Sequence, residues 1–319
     1  MSITASPPEA IEAVPAAAQA AAWQSKTVDL GTPVHYADFG GQGQVMVLVH
    51  GIASSHLNWM GIGQEFARDH RVYAVDLPGY GLSPRGNDVA SVQTSQAYLD
   101  RFIDHVSPGA PVVLFGHSMG GLVSMLEASA HPEKLSHLVL LAPAAPYPRR
   151  SLATLFVPGM LVAAFMPGRS AALMRRGGKR LKPDRVVRDV MGRIIAPTSQ
   201  ISEEIMQAHI DLLVRQREEH DWTEQALVES AASLVKTTLR RKRFRAMVKA
   251  IPVPTLLMHG TRDRLVPYKA GVLLHRTRPD WSWRPLGRLG HMAQMENAAM
   301  TIATVRDWLA ARAILDGGR

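Results

Sequence analysis

Three side chains of this chain could together turn a hydroxyl into a nucleophile: Ser118, Asp263 and His291. A serine hydroxyl attacks poorly unaided; it needs a base, and the base needs an acid to fix its tautomer. The three follow one another in the order serine, acid, histidine. Ser118 stands in Val112-Val-Leu-Phe-Gly-His-Ser118-Met-Gly-Gly121, where a short apolar strand runs straight into Gly-x-Ser-x-Gly and a helical pattern follows at Leu122–Ala130. The chain must reverse sharply there, which strains the serine and presents its Oγ at the top of a sheet. Gly116 and Gly120 lack a Cβ, so neighbouring segments can approach closely. The N–H of Met119, at the helix start, can point at a developing oxyanion. A second donor is the N–H of Ile52, because the apolar run Val45–Val49 ends in His50-Gly51-Ile52. Losing one such donor typically costs about 3 kcal/mol of transition-state stabilisation.

The elements that must hold these residues can be read from the alternation of patterns. Val253–Gly260 reads as a buried strand, and the loop that leaves it carries Asp263. Trp281–Leu286 reads as a shorter strand that opens into Gly287–His291. Each candidate therefore follows a strand, at the carboxyl end where parallel sheets place ligands. Glu296 lies close to His291 and could help hold its loop, but Asp263 has the better strand-end position. Lys26–Leu30 and Val34–Phe39 predict an antiparallel hairpin around Gly31-Thr32-Pro33. Strands at 45–49, 72–76, 112–116 and 136–142 alternate with helical patterns at about 56–68, 92–106 and 119–130. This rhythm predicts an α/β fold with a mostly parallel, doubly wound sheet covered on both faces. From 144 to about 250 no convincing strand occurs, only helical stretches; alternation resumes at 253 and closes with a helix over Ala298–Ala313. The expected division is an extension without fixed structure over 1–25, a core over 26–145 and 250–319, and a helical insertion over 146–249.

With these pieces in place the chain resembles the α/β-hydrolase fold superfamily, of the lid-bearing serine esterase and lipase type. The matching pieces are His50-Gly51, Asp76-Leu-Pro-Gly-Tyr-Gly-Leu-Ser83, Gly116-His-Ser-Met-Gly-Gly121, Asp263 and Gly290-His291. They cover about 26–145 and 250–313. The resemblance implies that Asp76 is the structural aspartate after the fourth strand, a loop-organising acceptor, and that 146–249 is a lid. It implies an ester hydrolase with Ser118 as nucleophile, His291 as base, Asp263 as orienting acid and an oxyanion hole of Ile52 and Met119 N–H groups. Related dehalogenases and epoxide hydrolases place Asp where Ser118 stands. Related carbon–carbon hydrolases of ring-fission products share the serine and resemble Gly116–Gly121, but usually carry a Gly-Pro-Gly-type oxyanion loop and a tryptophan after the histidine. Here Ile52-Ala53-Ser54 and Met292 stand in those places, so that chemistry is the runner-up. A slow-turnover ligand-binding protein of the same fold is the third reading.

Composition sets the remaining expectations. At 319 residues and 46% hydrophobic, the chain can bury a sizeable core. It has no cysteine, hence no disulfide and no thiolate metal site. No phosphate loop or dinucleotide fingerprint occurs, so neither cofactor nor metal is expected. His117 is expected to be packed or hydrogen-bonded beside the sheet. His56, His209 and His220 have no partner at metal-ligand spacing. The Ala- and Pro-rich N-terminus lacks a basic leader, and no apolar run reaches the roughly 18 residues that span a membrane; a cytoplasmic enzyme of a small-molecule ester is expected. The net charge of +9 sits in the proposed insertion: residues 147–250 hold 20 Lys and Arg against 10 Asp and Glu. Clusters stand at 175–182 and at Arg240-Arg-Lys-Arg243-Phe-Arg245. They read as a solvated helical surface; nucleic acid is not expected as a partner, and peripheral membrane contact is possible without being favoured. The apolar stretch Leu152–Met166, broken by Pro158-Gly159, and the methionines 160, 166, 174, 191 and 206 would suit packing or an adaptable pocket wall.

Overall fold

The structure is a computed structural model and describes residues 23–146, 170–172, 176, 181–220 and 222–317. The N-terminal extension up to residue 22, the apolar stretch 152–166, most of the 175–182 basic cluster and Met160, Met166 and Met174 lie outside the described residues.

Eight strands form one sheet: β1 Gln24–Asp29, β2 Pro33–Gly40, β3 Val45–Val49, β4 Arg71–Val75, β5 Val112–His117, β6 Leu135–Leu141, β7 Thr255–Gly260 and β8 Ser282–Leu286. Their spatial order is β1-β2-β4-β3-β5-β6-β7-β8. β1 pairs with β2, and β2 with β4, in antiparallel fashion; every pairing from β4 to β8 is parallel. Parallel neighbours require crossovers, and α1 Met60–Phe66, α2 Val92–Val106, α3 Met119–Ala130 and α8 Tyr268–Thr277 each supply one, while α10 Ala298–Gly317 follows the last strand. The expected 56–68 helix opens at His56 as a 3₁₀ turn over His56–Trp59, where Ser55 Oγ accepts the Leu57 N–H, and continues as α1.

Alternation along the central strands sorts their side chains into two cores. Val47, Val49, Leu114, Leu138, Leu140 and Leu257 face α2, α3 and α8, packing with Leu99, Phe102, Leu122 and Leu274. Met46, Leu48, Val113, Phe115, Val139, Leu141 and Met258 face α1 and α10, packing with Trp59, Phe66, Val305 and Trp308. Both faces of β5 and β7 are buried along their whole length, which explains their unbroken apolar sequences.

Between β6 and β7 the described residues form no strand; residues 170–172 and 176 are helical, and four longer helices follow, α4 Pro183–Ile194, α5 Glu203–Glu219, α6 Thr223–Leu239 and α7 Arg241–Ala250, the short α9 Ala293–Glu296 following β8. The basic run that reads as one helical stretch is broken: α6 ends at Leu239, and Arg240 leaves helical geometry (φ −76°, ψ 58°) before α7 begins. α4 and α5 bury their own apolar cluster, Val187, Met191, Ile194, Ile205, Met206 and Ile210, against Met292 and Met295. Met191 and Met206 thus fill a small core that reaches the segment just after His291. α6 is tied to the body through Glu229, which takes both arms of the Arg85 guanidinium (2.8 and 2.7 Å) and the Ala90 N–H (2.8 Å). No described helix is long and apolar enough to cross a membrane.

Candidate active site

Strain in this molecule collects at the carboxyl ends of strands. Among the described residues, four non-glycine residues have positive φ: Ala53 (55°) after β3, Ser118 (54°) after β5, Ala142 (44°) after β6 and Arg288 (64°) after β8. Such conformations cost of order 1–3 kcal/mol each and persist only where the surroundings enforce them. At Ser118 the enforcement is visible. Its N–H donates to the Leu141 carbonyl (3.1 Å), and its own carbonyl accepts from Ala144 (2.8 Å) and Leu122 (3.2 Å). The flanking glycines leave no room for a side chain: a Cβ on Gly116 would sit 2.4 Å from Ser124 Oγ, and one on Gly120 2.3 Å from the Val49 and His50 carbonyl oxygens. The turn therefore holds Ser118 at the first position before α3, with Met119 as the first helical residue and its N–H among those with no intrahelical acceptor.

The loop after β3 packs directly on this turn. A Cβ on Gly51 would meet Ser118 Cβ at 3.1 Å and His117 Nδ1 at 3.3 Å, so only glycine lets the His50–Ile52 segment approach. His50 locks that segment. Its Nε2 accepts the Leu77 N–H (3.0 Å), so its proton is on Nδ1, which donates to the Gly51 carbonyl (2.7 Å). Burial lowers the His50 pKa and keeps the ring neutral in this role. Ile52, partly buried against the main core, follows at once.

Asp263 and His291 meet in a buried pair. His291 Nδ1 lies 2.8 Å from Asp263 Oδ2. Asp263 Oδ1 accepts the Leu265 and Val266 N–H groups (2.8 and 2.9 Å). Burial works to raise the Asp263 pKa, but the charge of His291 and the hydrogen bonds from His259 and His291 outweigh it and hold the carboxyl well below the usual range. The carboxylate is thus ionised, Nδ1 of His291 carries the proton, and Nε2 is left with a lone pair. His259, at the end of β7, is a second imidazole on the same carboxylate. Its Nε2–H donates to the Val266 carbonyl (2.8 Å) and lies 3.2 Å from Asp263 Oδ2.

His117, expected beside the sheet, is buried there and does more. Its ring stands 4.7 Å from that of His291, centroid to centroid, and its Nε2–H donates to the His291 carbonyl (2.9 Å). Burial, reinforced by His291, pushes its pKa down to about 3. The His291 N–H in turn donates to the carbonyl of Ile194, at the end of α4 (2.9 Å). Glu296 bonds the backbone around His291: it accepts the N–H groups of Gly290 (2.8 Å), Met292 (3.0 Å) and Ala196 (3.0 Å) and the Ser199 hydroxyl (2.6 Å). It binds the loop, as its sequence position suggests.

Asp76 organises the opposite loop. Its carboxylate accepts the N–H of His56 (2.6 Å) and of Leu82 (2.9 Å) and the Nδ1 atoms of His35 (2.8 Å) and His56 (2.9 Å). A Cβ on Gly81 would fall 2.1 Å from Asp76 Cγ, which explains the glycine. Burial is again outweighed, first by the charge of His56, and the Asp76 pKa is strongly depressed. His56 therefore does have partners: His35, His56 and Asp76 are fully buried with potential ligand atoms within 4.8 Å of one another. Residues 21 and 20 apart in sequence carry no spacing signal for this. Each imidazole is satisfied by the carboxylate, so the cluster works as a hydrogen-bonded joint between β2, the oxyanion-side loop and the Asp76 loop.

Comparison with known proteins agrees with this frame. Residues 44–298 match the alpha/beta hydrolase fold family. A 2-hydroxy-6-oxononadienedioate/2-hydroxy-6-oxononatrienedioate hydrolase of Cupriavidus pinatubonensis is 26% identical over 281 residues, covering 86% of this chain and 90% of that protein. Among solved structures, a thermophilic esterase from Thermogutta terrifontis superposes with a TM-score of 0.67 at 22% identity, over 90% of this chain and 98% of that one. The epoxide hydrolase CorEH superposes with a TM-score of 0.72 at 16% identity, over 91% and 99%. Neighbours with such different reactions speak for the fold alone. The match over most of the length, together with the eight-stranded sheet and its flanking helices, makes this chain a hydrolase of the alpha/beta hydrolase fold family.

Proposed function

We propose that the chain is a serine hydrolase that cleaves a carboxylic ester through an acyl-enzyme on Ser118. The observation that carries this reading is the buried 2.8 Å pair of Asp263 and His291, tied through His117 to the residue before the strained serine at the start of α3. In this mechanism His291 Nε2 takes the Ser118 proton as Oγ attacks the carbonyl carbon. Asp263 keeps the proton on Nδ1 and stabilises the imidazolium. The Met119 and Ile52 N–H groups receive the oxyanion. His291 then protonates the leaving alcohol, and a water deprotonated by His291 releases the acid. α4 and α5, packed over Met292 and Met295, are proposed as part of a lid whose apolar underside takes the acyl chain.

The Cupriavidus relative favours a second reading, carbon–carbon cleavage of a dienol diketone. The same serine and histidine would serve, with the leaving carbon protonated in place of an alcohol. Met292 after the histidine and Ile52-Ala53-Ser54 in the oxyanion loop weigh for the ester.

A fluorophosphonate label followed by peptide mapping, then turnover of an ester series from acetyl to octanoyl beside a dienol diketone, separates the readings. Label on Ser118 and kcat/KM rising with chain length is the expected result. Each buried methylene contributes about 0.8 kcal/mol, so two carbons should raise kcat/KM by roughly tenfold until the pocket is full. A steady fall from acetyl to octanoyl would remove the acyl pocket. Diketone cleavage without esterase activity would install the second reading.

A further inference from the structure

A second cluster of histidine and carboxylates lies between α2 and α3. Unlike the Asp76 joint, it leaves a buried carboxylate oxygen without a donor. Glu127, on α3, is fully buried. Its Oε2 accepts from Gln96 Nε2 (2.6 Å), while its Oε1 is buried without a hydrogen-bond partner. Asp100 faces it from α2, and His131 caps the end of α3 four residues on. One ligand atom from each of Asp100, Glu127 and His131 lies within 4.8 Å of the others. The His131 ring has a carboxylate near each nitrogen. Its Nε2 lies 3.9 Å from Asp100 Oδ1, and its Nδ1 lies 3.7 Å from Glu133 Oε1 on the outer side. A carboxylate behind the far nitrogen is the usual support of a metal-bound imidazole.

Charge points the same way. Lys134 Nζ bonds Asp100 and, at 2.8 Å, Asp104. One ammonium thus serves Asp100, Asp104 and Glu127 together. Two carboxylates at close range repel unless a positive charge or a proton lies between them. A proton or a cation shared between Asp100 and Glu127 meets that need.

We propose that Asp100, Glu127 and His131 bind a divalent transition ion of the Mn²⁺ or Zn²⁺ class, which clamps α2 to α3. One imidazole nitrogen with two carboxylate oxygens suits these ions; Ca²⁺ takes six to eight oxygens, and Mg²⁺ holds its waters. Metal–ligand bonds of about 2.1 Å bring ligand atoms to roughly 3–4 Å of one another, so closure needs only small side-chain rotations. Asp100 and His131 are partly exposed, which opens the place to ions from solvent. Lys134 keeps Asp104 when the ion takes Asp100. The bound ion would fasten the helix that begins at Met119 without entering the reaction.

The test is titration of chelator-treated, full-length protein with Mn²⁺, read by electron paramagnetic resonance, and with Zn²⁺, read by thermal melting. Glu127→Gln and His131→Asn are titrated beside the wild type. One ion per chain is expected, with a raised Tm and at least tenfold weaker binding in each variant. Affinity should fall on acidification, because protons compete with the ion for its ligands. Saturable binding that neither variant weakens, or no saturable binding at millimolar ion, would overturn the proposal. Should Glu127→Gln not melt cooperatively, His131→Asn at the partly exposed helix end decides alone.

Discussion

The imidazole of His117 donates its Nε2–H to the backbone carbonyl of His291 at 2.9 Å. The residue just before the candidate nucleophile thereby helps to hold the loop of the candidate base, so one hydrogen bond joins the two sides of the site. His117→Ala is expected to lower kcat by roughly tenfold or more with a smaller change in KM, because misplacement by about an ångström can cost that much or more. With its pKa near 3 the ring is neutral throughout the assay range, so the ratio of variant to wild type should stay constant from pH 5 to 9. A pH–rate comparison checks both statements; a deficit confined to one end of that range would assign His117 a titrating role instead.

Ser118→Ala and His291→Ala should each remove about 10⁴-fold or more of kcat with the fold intact. Asp263→Asn should be severely impaired, since the amide favours the wrong histidine tautomer. Glu296→Gln is expected to lower Tm while leaving kcat within about tenfold, because Glu296 receives the loop N–H groups and not the ring. Steady-state kinetics on the four variants decides. Near-native activity in Asp263→Asn with none in Glu296→Gln would exchange the two roles.

In metal-free protein Glu127 should make stability fall as pH rises. Its carboxyl has a folded-state pKa of about 7 against an ordinary value of 4.5, so the native state holds the proton more tightly. The contribution is complete below about pH 4.5 and is lost as pH passes through about 7. Asp263 and Asp76 work in the opposite sense: their depressed values give stability that is present above about pH 4 and lost on acidification. Urea unfolding at pH 5 and pH 8 separates these terms. Relative to Glu127→Gln, the wild type should lose on the order of 1–3 kcal/mol between the two pH values. Parallel behaviour of the two proteins would show that Glu127 is ionised throughout.

Neutralising Arg240, Arg241, Lys242 and Arg243 together should leave kcat/KM on a neutral, soluble ester within about twofold, as surface charges away from the reacting groups do little to such a substrate. The four residues are exposed around the junction of α6 and α7, beside Leu239, which is 62% exposed. A large fall in kcat at unchanged Tm would make the junction part of the site.

Much of this architecture is legible in one dimension because its causes are local. The apolar run 112–116 ending in Gly-x-Ser-x-Gly, the alternation of strand and helix patterns, and the position of Asp263 and His291 after strands all depend on residues near one another in the chain. The strand bounds agree to within two residues, and the opening hairpin, the parallel order and the strandless stretch of described residues between β6 and β7 follow from the same patterns. The helix break at Arg240 was not legible, since arginine and lysine suit a helix and no Gly or Pro marks the end.

What tertiary structure alone decides is partnership. The pairing of His35 and His56 on Asp76, the second imidazole of His259 on Asp263, the His117–His291 tether and the Asp100–Glu127–His131 cluster each join segments that are distant in the sequence or residues whose spacing is uninformative. A histidine reads alike in sequence whether it binds a carboxylate, a carbonyl or nothing. Only burial, which removes water as the competing partner, makes it choose, and burial is a property of the packed sheet and helices and not of any short stretch of chain.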